Sequence, residues 1–153
     1  MENIVGTALA VGAGIITILA GFDRNRFGRR IHPLVSAEIA AAKTAEVSGD
    51  PAASFRHLER AHILGQSSTA QHVRVHLNML AWAARHNDAR EFIGQILRVI
   101  GAAAGTWAGL VPRGNTGGSK VSGFRSMPIP DDLADQIAAT RAAAANIHSR
   151  GGQ

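Results

Sequence analysis

Two short polar breaks divide the middle of this chain, and they constrain its fold more than any other feature. Ser48-Gly49-Asp50-Pro51 and Asn87-Asp88 interrupt segments whose apolar residues recur at helical spacing. Asp50 can cap free backbone N–H groups, and Pro51 suits a first helical position. Gly65 suits a helix end, and Ser67, Ser68 and Thr69 each offer a further cap. Helices are therefore expected over Val35–Val47, Pro51–Leu64, a third reaching His86, and Asp88–Ala104. A last one should run from Asp131, whose carboxylate suits the positive end of a helix dipole, to His148.

Loops this short force neighbouring helices antiparallel, so the middle of the chain reads as two helical hairpins. The breaks at Asp50 and Asp88 are 38 residues apart. That is near the roughly 34 residues of a tetratricopeptide repeat. Tetratricopeptide-like stacking and a closed four-helix bundle both satisfy the pattern. Alanine is the commonest residue and aromatics make up 5% of the chain, which favours helix over sheet. The fold class is all-α.

The segment Ile4–Phe22 carries no charge and approaches the roughly 20 residues that cross a bilayer as a helix. Small residues four apart, Ala8/Gly12 and Ala10/Gly14, suit close packing beside another membrane helix. Arg24, Arg26, Arg29 and Arg30 follow at once. By the positive-inside rule they keep the carboxyl side in the cytoplasm, and they can contact anionic headgroups. These features predict a single-pass protein of the inner membrane, with its amino terminus outside and the bilayer and a membrane protein as partners. The run Val99–Val111 is apolar but too short to span by itself. Its Gly101, Gly105 and Gly109 offer a face for close helix packing.

The organisation that follows is an anchor over 1–22, a basic junction over 23–34 and a hairpin core over 35–110. A Gly/Pro-rich loop over 111–130 and a C-terminal helix with its tail over 131–153 complete it. The loop contains Gly114-Asn-Thr-Gly-Gly-Ser-Lys120, which lacks both the residue order and the preceding strand of a phosphate loop.

There is no cysteine, so disulfides, thiolate metal sites and thiol nucleophiles are excluded. The net charge of +5 lacks interleaved aromatics or a nucleic-acid motif, so no nucleic-acid partner is expected. No Ser is paired with an evident base, and no catalytic residue is assigned.

The histidines carry more chemistry. On a helical wheel, Glu59 and His62 fall within the apolar stripe of Phe55, Leu58 and Ile63. His72 and His76 fall near the middle of the stripe marked by Val75, Met79, Leu80 and Ala83. His57 falls on the polar side. In an antiparallel hairpin His62 should face His72, and Glu59 should face His76. One carboxylate and three imidazoles between two helices suit zinc, iron, manganese or nickel. Glu38 is an outer contributor to the same set. A metal-free Glu–His network satisfying its own hydrogen bonds is the competing account of the same residues.

The motifs His57-Leu-Glu-Arg-Ala-His-Ile-Leu-Gly-Gln66, His72-Val-Arg-Val-His76, Val111-Pro-Arg-Gly-Asn-Thr-Gly117 and Met127-Pro-Ile-Pro130 resemble a bacterial family of short helical proteins. It is a domain-of-unknown-function family, and the resemblance runs from about Arg29 to Arg141. It implies domain limits and no assigned activity. The functional expectation is a membrane-anchored accessory or interaction protein with a metal-binding helical core. The alternative is a metal-dependent enzyme or metal-handling protein using the Glu/His site.

Overall fold

The computed structural model describes residues 26–107 and 111–145. Five helices appear among them: α1 (Arg26–Val47), α2 (Pro51–Gly65), α3 (Thr69–Arg85), α4 (Ala89–Trp107) and α5 (Asp131–Ala145). The helix starts follow their caps. The Asp50 side chain accepts from the Ala53 amide, and Ser68 does the same for Gln71. Gly49 and Asn87 take the left-handed conformation, with φ of 79° and 53°, which ends α1 and α3 sharply.

Helix α1 begins at Arg26, so most of the basic junction is helical. Phe27, Ile31, Val35, Ile39 and Ala42 are buried at helical spacing along one side. That stripe holds the helix together through Pro33, which cannot donate a backbone hydrogen bond. Arg29 and Arg30 are exposed on α1, whereas Arg24 lies outside the described residues.

α1 packs along α2 and α3 along α4, with α2 against α3 between them. α5 lies across α1 and α2. Among the described residues α1 does not meet α4, so the helices stack as successive hairpins and do not close into a four-helix bundle. The core joins Ile31, Val35, Leu58, Leu64, Val75, Met79 and Leu133.

The expected membrane helix, Ile4–Phe22, lies outside the described residues. Among those described, no helix is long and apolar enough to cross a bilayer. The helices are amphipathic and broken by charge, as by Arg90, Glu91 and Arg98 in α4. The structure therefore supports an all-α chain with no spanning helix among its described residues, in place of the single-pass inner-membrane protein the sequence suggested.

Helix α4 has its polarity inverted. Glu91 and Gln95 are buried, while Ile93, Leu97 and Ile100 are exposed. The cause is the site beneath it.

Candidate metal centre

His62 sits near the end of α2, and His72 and His76 lie one turn apart near the start of α3. The short turn at Gln66–Ser68 folds the two helices together and brings the three rings into one buried cluster. Their Nε2 atoms form a near-equilateral triangle. His62 to His72 is 2.8 Å, His62 to His76 is 3.2 Å, and His72 to His76 is 3.1 Å.

The outer nitrogens determine what this triangle contains. His62 Nδ1 lies 2.7 Å from the backbone oxygen of Asn115, which can only accept. Nδ1 therefore carries the proton, and Nε2 turns a lone pair inward. His76 Nδ1 lies 2.6 Å from Gln95 Oε1. The Gln95 amide is oriented by its own donations to Glu91 Oε1 at 2.6 Å and Gly117 O at 2.9 Å. His76 Nδ1 must donate as well, and its Nε2 also turns a lone pair inward. His72 can bring at most one proton to the triangle.

Protonating a ring to relieve the crowding is disfavoured. Burial holds His62 and His72 well below the usual histidine range, and neighbouring histidines add to it. Burial and the adjacent His72 push His76 down to about 3, with Gln95 opposing. Three buried imidazoles with their ring nitrogens this close could hold a metal ion. His62, His72 and His76 would hold such an ion through their Nε2 atoms, and it would supply Lewis-acid chemistry there.

The supporting partners come from α4 and the Gly/Pro-rich loop over 111–130. Asn115 pins the loop. Its Nδ2 donates to Ser122 O and Arg125 O, both at 2.8 Å, and its Oδ1 accepts from the Gly117 amide. Gly117 has a φ of 80°, and a Cβ there would come within 2.6 Å of His62 Cδ2. Glu91 accepts from Gln95 and from the Ser119 amide and hydroxyl. A Glu91–Gln95–His76 chain thus orients one ring, as outer partners do at metal-bound histidines. The one signal in the sequence was polar residues interrupting an apolar run at Glu91 and Gln95.

Glu59 is not brought to the cluster. It lies beside Gly118 and Phe55, in a pocket shared with Trp82, Glu91 and Lys120. Burial is the main cause that raises its carboxyl above the usual range, with Thr116 opposing and Glu91 adding. The outer nitrogen of His76 is met by Gln95. Glu38 is also elsewhere, paired with His57 at 2.7 Å and Arg60 at 2.8 Å.

A cleft of about 520 Å³ opens onto the three imidazoles, walled by Leu97, Arg98, Gly101, Val111 and Phe124. Gly101 lines this cleft, and nothing lies within 4 Å of where its Cβ would stand.

No curated protein and no solved structure matches this chain. Residues 29–137 match the family described as protein of unknown function, DUF3703, and the match spans the three histidines, Gln95 and Asn115. The chain belongs to that family.

Proposed function

We propose that this is a metal-binding protein whose three-histidine centre holds a divalent transition ion with one exchangeable position facing a cleft. The observation that carries the reading is the convergence of three Nε2 atoms, two of them deprotonated by the hydrogen bonds at their far nitrogens. Burying opposed lone pairs without a counterpart is costly, and a cation removes that cost. An all-imidazole donor set suits zinc, iron or nickel. Manganese prefers carboxylate oxygen, and Glu59 does not reach the cluster. Zinc is favoured because it accepts three protein nitrogens plus one open position.

The same geometry is compatible with metal-assisted hydrolysis, since an ion with one open position can activate water. The accessory or interaction reading draws support from the exposed Ile93, Leu97 and Ile100 on α4.

Elemental mass spectrometry on the full chain, purified without chelator, tests the centre. About one ion per chain is expected, falling to none in the double variant His72→Ala/His76→Ala. A wild-type protein that stays metal-free after incubation with zinc, iron and nickel would overturn it.

A further inference from the structure

The electrostatics of the cleft point to its ligand. Neutral imidazoles leave a divalent ion its full charge. Arg98 stands in the same cleft and adds a second cation. Its positive charge reaches His62, His72 and His76 and lowers the pKa of each. Among the described residues Arg98 forms no ion pair. One of its NH groups donates to the Val121 backbone oxygen, which fixes the head without neutralising it. Glu91 lies close enough for its charge to act on Arg98, but its oxygens accept from Ser119 and Gln95 and it does not line the cleft. No acidic side chain lines the cleft.

A metal ion and an arginine sharing one cleft whose lining holds no carboxylate favour an anionic ligand. The walls narrow its class. Leu97, Val111, Pro112 and Phe124 are apolar, and Phe124 is 92% exposed at the rim, so it has surface to offer a ligand. A planar carboxylate matches the arginine fork, and an apolar body matches the walls.

We propose that the cleft binds a small organic carboxylate that ligates the ion on its open side and pairs with Arg98, its apolar body lying between Leu97 and Phe124. This rests on the metal-centre reading above. Arg98 acts here as a ligand-binding residue outside the ion's own protein ligands.

The test uses the full chain loaded with cobalt(II), whose visible bands report a change of ligand. Titration with benzoate should shift the bands saturably. Arg98→Gln should weaken benzoate by about tenfold or more with cobalt stoichiometry unchanged, and Arg98→Lys should restore part of the loss. Failure to take up cobalt overturns the metal centre and this inference with it. Uptake without a benzoate response overturns this inference alone. So does a response to inorganic phosphate and not benzoate, or equal benzoate affinity in wild type and Arg98→Gln. If Arg98→Gln does not fold, Arg98→Lys decides: unaltered affinity there, with no sensitivity to the lost planar fork, overturns the pairing.

Discussion

The Nδ1–H of His76 donates to Gln95 Oε1 across 2.6 Å, joining α3 to α4 through a wholly buried amide. This bond makes the inner nitrogen of His76 a lone-pair donor, and Gln95 is held for it by Glu91 and Gly117. Replacing Gln95 by Leu should leave the His76 Nδ1–H buried without an acceptor. Metal affinity should fall by about 10–100-fold, as on losing other outer partners of metal-bound histidines. Competition with a chromophoric chelator measures it. Affinity equal to wild type would remove Gln95 from the support of the centre.

Asn115 links the loop to itself and to His62 by four hydrogen bonds, two from its Nδ2, one to its Oδ1 and one to its backbone oxygen. Asn115→Ala abolishes the three side-chain bonds. We expect a stability loss of about 1–3 kcal/mol in urea unfolding, because Gly117, whose amide it serves, is buried. Metal affinity should fall too, because the Asn115 carbonyl would no longer be held against His62.

Gly117→Ala combines an unfavourable backbone conformation with a collision against the His62 ring. The left-handed conformation alone costs roughly 1 kcal/mol for a residue with a Cβ. The ring must also shift, so the metal-bound form should lose more thermal stability than the metal-free form. Calorimetry with and without zinc checks this, and equal losses would argue against contact with the centre.

Glu59→Gln should keep metal stoichiometry unchanged, since Glu59 lies beside Gly118 and outside the histidine triangle. Elemental analysis of the variant separates this from a four-ligand site, in which occupancy would drop.

Stability without metal should depend on pH in a defined direction. Unfolded histidine titrates near 6.5, while His76 in the fold is held at about 3 and His62 and His72 are also depressed. Between these values the unfolded chain binds more protons. The stabilisation is therefore full above about pH 6.5 and is lost as pH falls toward about 3. Each histidine contributes a slope of up to about 1.4 kcal/mol per pH unit. Urea unfolding of chelator-treated protein at pH 7 and at about pH 5 measures it. Equal stability at both would contradict burial of neutral histidines.

Much of the local structure was legible in the residues. Asp50 and Ser68 cap because their oxygens reach amides three positions on, and Gly49 and Asn87 end helices because they tolerate positive φ. These are contacts within a few residues, so order along the chain determines them. The placement of His62, His72 and His76 on facing helical stripes was readable for the same reason, because helical period and a short turn leave little freedom.

What lay beyond the sequence was every contact with no fixed spacing. Glu59 shares the stripe of His62, yet it lies beside Gly118, and the side chain that meets His76 is Gln95, 36 residues further along the chain. Asn115 reaches His62 from a segment whose glycines and prolines specify turns without specifying where the loop docks. Helix α4 buries Glu91 and Gln95 and exposes Ile93, Leu97 and Ile100, the reverse of what hydrophobicity alone dictates. Only packing explains it, because two buried polar residues there satisfy each other, the loop and a histidine whose lone pair must point inward. Local chemistry shaped the helices and brought three imidazoles to one seam. The tertiary structure decided which of their nitrogens carry protons and which cleft they face, because those depend on partners that meet only when the chain is folded.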